Sequence, residues 1–82
     1  MTVSLIDQKT IAVIGICALE DAEALLQLTL DNPAADVDWT RCERAHTAVI
    51  QILMEMRCPL RGPPAGTYLK AHIEPAILRA GG

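Results

Sequence analysis

The chain begins with two short runs rich in apolar residues that a polar stretch separates. The runs are Val3 to Ile6 and Ile11 to Ile16, and residues 7–10 between them are polar. Two such runs joined by a polar turn predict a pair of adjacent strands. The second run is almost entirely apolar, which is typical of a strand buried on both faces of a sheet.

The pattern changes to a helical period at Leu19. Acidic residues come first, where the positive end of a helix dipole favours them, and a mainly apolar stripe of residues then recurs at helical spacing. The acidic positions are Glu20, Asp21 and Glu23, and the stripe is Ala22, Leu25, Leu26, Thr29 and Leu30. Asp31, Asn32 and Pro33 are predicted to end this first helix.

A third strand is predicted from Ala34 to Trp39, with Asp38 at its carboxyl end. A second helix is predicted from Ala45 to Met56, because its apolar residues fall on one side of a helix. These residues are Ala45, Val49, Ile52, Leu53 and Met56. Pro59 is expected to stop this helix, since proline cannot continue it.

The start of the second helix has two alternatives. Thr40 and Glu43 have the spacing of a capping box, which would begin the helix near Arg41. His46 and Thr47 offer a later start. A start at Thr47 would place its hydroxyl at the positive end of the helix dipole, where a phosphate is stabilised.

The last third of the chain predicts a short strand at Cys58 to Leu60, a turn over residues 62–66 and a helix from Tyr68 to Leu78. Pro75 lies inside that helical pattern and is expected to kink or interrupt it. Strands and helices therefore alternate along the chain. This alternation predicts an α/β fold with a four-stranded, mostly parallel mixed sheet packed with three helices.

Composition narrows the class of protein. The chain has 82 residues, which is enough for one core, and 51% of them are hydrophobic, which is sufficient for folding. Seven Lys and Arg against ten Asp and Glu give a formal net charge of −3, which argues against binding to a phosphate backbone. We expect one domain over residues 1–82 with no nucleic-acid partner.

The cysteines and the apolar runs bear on the cellular location of the protein. Cys17, Cys42 and Cys58 form no Cys-x-x-Cys pair, so the chain carries neither a disulfide framework nor a zinc knuckle. No apolar run approaches the roughly 20 residues of a membrane helix, and no basic segment precedes the first apolar run, as a secretory signal requires. The expected location is the cytoplasm, without membrane insertion.

The outward face of the second helix is not cleanly polar. Its residues are Thr47, Ile50, Gln51 and Met54, and we call them the Thr47 face. Charged residues flank it: Glu43, Arg44 and Glu55. Apolar side chains beside a hydroxyl and an amide, with charges around them, are typical of a small protein-binding surface. The alternative is that Ile50 and Met54 pack under a neighbouring loop.

The segment Val37-Asp38-Trp39, followed by the run from His46 to Leu53, resembles the STAS domain, the module of anti-sigma factor antagonists and sulphate transporter tails. In that family a strand ending near an Asp precedes an Asp-Ser-x-Gly-Leu segment that opens a helix. The strand from Ile11 to Gly15 and the acidic helix start match the family's preceding elements. The resemblance covers roughly residues 9–79.

The resemblance implies roles for individual residues. Thr47 falls on the family's phosphorylatable Ser or Thr, and Asp38 falls on the acidic residue that closes the preceding strand. His46 stands where the family has Asp. Val49 stands where it has Gly, and a β-branched residue there is expected to crowd an approaching partner.

The function that the resemblance implies is partner binding controlled by phosphorylation of Thr47. The expected partner-binding residues are Asp38, His46, Thr47, Ile50, Gln51 and Met54. The expected partner is a protein of a bacterial regulatory or transport-associated assembly, such as a kinase-like anti-sigma factor, a sensory complex or a transporter ATPase.

No constellation for catalysis is visible in the sequence. It has no glycine-rich phosphate loop and no Ser-His-Asp arrangement with motif support. Cys42 and His46 are four residues apart and could share one face of a helix, but two ligands do not make a metal site. The favoured interpretation is a buried cysteine and a capping or surface histidine. His72 is expected to face solvent. We therefore expect neither an enzyme nor a cofactor or metal.

Two further functions stay open. The chain ends in Gly81-Gly82, as ubiquitin-like modifiers and sulphur carriers do, although those proteins have a β-grasp fold with one central helix. The exposed apolar residues are also suited to a homodimer, because small α/β domains gain stability when a second copy covers such a surface.

Overall fold

A computed structural model describes the backbone of residues 2–81 and the side chains of residues 2–79. Its elements in chain order are β1 (Val3–Leu5), β2 (Thr10–Cys17), α1 (Leu19–Asp31), β3 (Asp36–Ala45), α2 (Thr47–Met56), β4 (Leu60–Arg61), a π-helical turn (Leu69–Ile73) and α3 (Glu74–Gly81). The described strands form one sheet in the order β1-β2-β3-β4. β1 is antiparallel to β2, and the other pairs are parallel. This architecture confirms the predicted α/β fold with a four-stranded mixed sheet and three helices.

α1 and α2 contact each other and the sheet, and the core lies where these elements meet. Buried apolar residues from every layer contact one another there: Val3, Ile11, Val13, Cys17, Ala22, Leu25, Ala35, Val37, Trp39, Cys42, Val49, Leu53, Leu69 and Ile77. β2 is buried on both faces at its amino end, since residues 10–13 are all buried. At its carboxyl end Ile16 is 65% exposed, so the prediction of a strand buried on both faces holds for the first half of β2.

β3 is longer than the sequence predicts, which corrects two expectations. It runs from Asp36 to Ala45, so Asp38 lies near its amino end instead of closing it. Thr40 and Glu43 belong to the strand and do not cap a helix. The sequence did not reveal the full length of β3, because two register shifts against β2 interrupt its alternation of buried and exposed residues.

The carboxyl half of β3 has a loop beside it instead of a full strand. β4 pairs only with Val37 and Asp38, and further along the Gly66 N–H donates to the carbonyl of Cys42 at 3.0 Å. A Cβ at Gly66 would overlap the backbone carbonyl of Glu43. Glycine is required there because the loop lies directly on the strand.

Pro75 interrupts the last helix, as predicted. Proline has no N–H to donate, and in a regular α-helix its ring would clash with the carbonyl four residues earlier. The preceding residues Leu69–Ile73 form a π-helical turn, in which the Glu74 N–H donates to the carbonyl of Leu69. The wider turn accommodates the proline. Among the helices within residues 2–81, none has the length and apolar character needed to cross a membrane.

Candidate functional site

Two strand-to-helix junctions lie side by side at one edge of the sheet. β2 and β3 are parallel, and their last residues, Cys17 and Ala45, are register partners. The His46 N–H donates to the carbonyl of Cys17 at 2.9 Å, which ties the two junctions together. α1 and α2 therefore begin at the carboxyl ends of neighbouring parallel strands, the edge where open α/β sheets bind ligands.

His46 caps α2, which confirms the later of the two predicted starts. Its backbone is extended, with φ −59° and ψ 148°, and its Nδ1 accepts the Ala48 N–H at 3.0 Å. The acceptor role requires Nδ1 to carry no proton. The imidazole thus supplies the cap that an Asp side chain would supply at this position.

Val49 is fully buried in the core. Its side chain points away from the surface on which a partner would lie, so the expected crowding by this β-branched residue is wrong. The helical period explains the outcome, because Val49 and Leu53 are four residues apart on the buried side of α2.

The structure brings the Thr47 face together on the outer side of α2. Thr47 and Gln51 are exposed, Ile50 is half-buried and Met54 is 37% exposed. These four residues and Glu55 line one shallow depression of about 300 Å³. Gln51 donates from Nε2 to Glu55 at 3.4 Å, and this contact arranges the polar side of the depression.

A deeper cavity of about 480 Å³ opens beside this face. It lies between the carboxyl end of β3, the first turns of α2 and the π-helical turn. Its lining residues are Glu43, Arg44, Ala45, Thr47, Ile50, Tyr68, Leu69 and Ile73. Sequence reasoning missed the contribution of residues 68–73. Pro75 was the only available signal, and it indicates an interruption without showing what the interrupted turn faces.

Asp38 does not join the other predicted site residues. Its carboxylate accepts hydrogen bonds from the Thr40 hydroxyl at 2.6 Å and from the Thr40 N–H at 2.9 Å. These bonds hold the pKa of Asp38 below its ordinary value. Asp38 lines a separate cavity of about 150 Å³, together with Ile6 and Arg41 among others. The length of β3 separates it from Thr47.

The cysteines are poorly suited to chemistry in this fold. Cys17 and Cys42 are buried in the core, and burial raises the pKa of both thiols, that of Cys42 to about 12. Burial also raises the pKa of the half-buried Cys58. A thiol with a raised pKa is a weak nucleophile near neutral pH because the thiolate is the reactive form. Cys42 is buried in a strand and His46 caps a helix, which confirms the favoured interpretation of a buried cysteine and a capping histidine.

The remaining histidine, His72, is exposed on the π-helical turn, as predicted, and its ring centroid lies 5.0 Å from that of Tyr68. Within the described residues, no group of three or more His, Cys, Asp or Glu side chains is placed to hold a metal ion. The chain matches no protein-family model, no curated protein and no solved structure.

Proposed function

We propose that this chain is a non-enzymatic regulatory module of the STAS type. It binds a protein partner through the Thr47 face and is switched by phosphorylation of Thr47. The observation that carries the proposal is the surface of α2, where exposed Thr47, Gln51 and Met54 adjoin half-buried Ile50. Apolar side chains beside hydrogen-bonding groups, with charged residues around them, are suited to burial by a partner.

The position of Thr47 supports its role as the phosphoacceptor. It is the first residue of α2, where the resemblance to the STAS domain assigns the phosphorylated residue. Its side chain is exposed, so a kinase could reach it. No acidic residue lies in the first turn of α2, and the helix dipole stabilises a phosphate there.

The switch would act through charge. A phosphate adds roughly −1.5 to −2 charges at neutral pH. On Thr47 that charge would lie beside Ile50 and above Met54, in the depression that they share. A partner that buries these apolar side chains would have to desolvate the phosphate, which opposes binding. Phosphorylation therefore releases the partner, and the kinase and phosphatase that set the switch are other proteins.

The partner belongs to a bacterial cytoplasmic assembly in this proposal. A kinase-like anti-sigma factor, a sensory complex and a transporter ATPase are the three partner classes that the resemblance suggests. Each would present a surface that covers Ile50 and Met54. Identification of the cross-linked protein in the experiment below would choose among these classes.

The test is a photo-cross-linking experiment in the source cells. A photo-reactive residue at Gln51 is compared with one at Gln27 on α1. The two positions are well matched, since both glutamines are exposed and each donates to an acid four residues later. We expect Gln51 to yield one discrete protein adduct that Thr47→Glu abolishes and Thr47→Ala preserves. Gln27 should yield none.

Equal adducts from both positions, or an adduct at Gln51 that Thr47→Glu leaves unchanged, would contradict the proposal. Intact mass with fragmentation on protein from the same cells tests the modification directly. A phosphate on Thr47 supports the switch. A thiocarboxylate at Gly82 would instead support the sulphur-carrier alternative.

The carrier alternative gains no support from the fold. Gly81 is the last residue of α3, and Gly82 lies outside the described residues. The sheet is packed with three helices in the described part of the chain, whereas the β-grasp fold of such carriers has one central helix. The homodimer stays a prediction, which the dependence of mass on concentration in solution would test.

A further inference from the structure

The cavity beside α2 has the size and the walls of a small-molecule site. Its volume of about 480 Å³ falls within the range of roughly 300–1,000 Å³ that such pockets occupy. Ile50, Leu69, Ile73 and the ring of Tyr68 provide apolar walls from two sides. Leu69 belongs to the core, so these walls are part of the folded structure.

Two opposite charges and a hydroxyl lie at the rim. Glu43 and Arg44 are exposed residues at the end of β3, and Thr47 begins α2. All three line the cavity. Among the described side chains, the ion pair joins Arg61 to Asp36, so neither Glu43 nor Arg44 is engaged in one there. Both charges are thus available to a ligand.

The strand that carries these charges is held on both edges. On one edge Cys42 and Arg44 are register partners of Gly15 and Ile16. On the other edge the Gly66 N–H donates to the carbonyl of Cys42. The backbone of the rim is therefore held in place before a ligand arrives, so that only side chains lose freedom on binding.

We infer that this cavity binds a free apolar α-amino acid. The ligand's carboxylate would pair with Arg44 and accept from the Thr47 hydroxyl, near the positive end of the α2 dipole. Its ammonium would pair with Glu43, and its side chain would lie against Ile50 and Ile73. A carboxylic acid without the amine would place its charge beside Glu43, and an amine without the acid would place its charge beside Arg44.

This inference goes beyond the proposed function, because it requires neither a protein partner nor a phosphate. Thr47 nevertheless belongs to both sites. A phosphate on Thr47 would compete with the ligand's carboxylate for Arg44. The chain would then respond to an amino acid and to phosphorylation at the same helix start.

The test uses three ligands that share one apolar body. ¹⁵N-labelled full-length protein is titrated with L-phenylalanine, 3-phenylpropanoate and phenethylamine, and amide chemical shifts are followed. We expect L-phenylalanine to shift amides around Thr47, Ile50 and Ile73. Its Kd should be about fivefold lower than that of either singly charged ligand, which is the upper effect of one exposed ion pair.

Substitutions test which charged group of the ligand pairs with Arg44 and which pairs with Glu43. Arg44→Gln should weaken L-phenylalanine about fivefold and leave phenethylamine no weaker, and Glu43→Gln should weaken L-phenylalanine while leaving 3-phenylpropanoate no weaker. Arg41→Gln is the matched control, because Arg41 is an exposed arginine of the same strand that does not line this cavity. It should change none of the three affinities.

Two results would overturn the inference. One is tighter or equal binding of 3-phenylpropanoate or phenethylamine, and the other is the absence of localised shifts with all three ligands. The ligand series on the unaltered chain decides the matter even if a variant folds poorly. Because no partner or modification takes part, failure here would leave the proposed switch standing.

Discussion

The two strand-to-helix junctions lie side by side, but their helix starts are capped differently. At the first, the Ala18 N–H donates to the Asp21 carboxylate at 2.7 Å, and the Asp21 N–H donates to the Ala18 carbonyl at 3.1 Å. At the second, the neutral imidazole of His46 accepts one N–H. The first helix start is closed by its own acidic side chain, and the second is capped by an uncharged ring.

This difference shows which junction can receive an anion. Glu20 and Asp21 occupy the first turn of α1, so a phosphate or carboxylate would meet negative charge there. The first turn of α2 holds no acidic residue, and the exposed Thr47 hydroxyl opens onto a cavity. The two junctions therefore differ in role although their backbones are similar. The acidic start of α1 has only a structural role, whereas the start of α2, which lacks acidic residues, is a candidate anion site.

The largest expected effect is a difference in stability between substitutions of two glycines, Gly66 and Gly15, that lie near the two junctions. Gly66→Ala should lower the free energy of unfolding by about 3 kcal/mol, because the new methyl group would overlap the Glu43 carbonyl. Gly15→Ala should cost only about 1 kcal/mol, since φ is +73° but no atom lies within 4 Å. Urea unfolding of both variants measures the difference. Equal losses would show that the loop does not press on β3.

The next largest effect is expected from removing the cap of α1 at the first junction. Asp21→Ala should cost about 1.5 kcal/mol at neutral pH, because it removes the capping acceptor and the favourable charge at the start of α1. Thermal unfolding measures this loss. The same substitution should leave affinity for L-phenylalanine unchanged, since Asp21 does not line the cavity.

The pH dependence of that loss gives a second check. Hydrogen bonding lowers the pKa of Asp21 in the folded chain, so its carboxylate stabilises the fold above its ordinary pKa. This stabilisation is lost as the pH falls through the lowered pKa. The difference in Tm between the natural chain and Asp21→Asn should therefore shrink below about pH 4. A constant difference would contradict the charged cap.

A smaller effect is expected at the second junction. His46→Ala should cost about 1 kcal/mol, because the Ala48 N–H loses its acceptor. His46→Asp should restore stability, since a carboxylate accepts the same bond and also favours the helix dipole. However, it would add a negative charge beside Thr47 and weaken L-phenylalanine binding. Paired stability and affinity measurements separate the two consequences.

The smallest effect concerns Thr47 itself. Thr47→Val and Thr47→Ala should change the free energy of unfolding by less than about 0.5 kcal/mol, because the side chain is exposed. A loss as large as that of His46→Ala would assign Thr47 to the structure of the helix start. Near-unchanged stability with weaker binding of L-phenylalanine would assign Thr47 to the surface.

Much of the fold was predictable because it depends on local patterns. α1 begins at Leu19 and ends at Asp31, as its acidic start and its Asp-Asn-Pro end predict. Val49 and Leu53, the buried residues of α2, were also predicted, and His46–Thr47 was one of its two predicted starts. Ala45, which the prediction placed in this helix, is the last residue of β3. These features depend on the spacing of apolar residues and on caps within a few residues of each helix end.

β3 and the cavity could not be predicted in the same way. The carboxyl half of β3 is stabilised by bonds to β2 and to Gly66, which are distant along the chain. Its two register shifts displace the inward positions, so the alternation that normally reveals a strand is broken. The cavity depends on the π-helical turn, whose residues line it together with residues of α2 that are distant along the chain.

The sequence alone determined the α/β class, part of the stripe that each of α1 and α2 buries, and the residues of the Thr47 face, because these follow from local periodicity and charge. Leu26 and Leu30 of the predicted α1 stripe are exposed in the structure. Tertiary structure alone decided that Asp38 lies away from Thr47. It also decided that Thr47 lines a cavity together with Glu43, Arg44 and Tyr68. The physical reason is that strand length and register are set by partner strands. A single strand's sequence does not contain the hydrogen bonds that its neighbours supply.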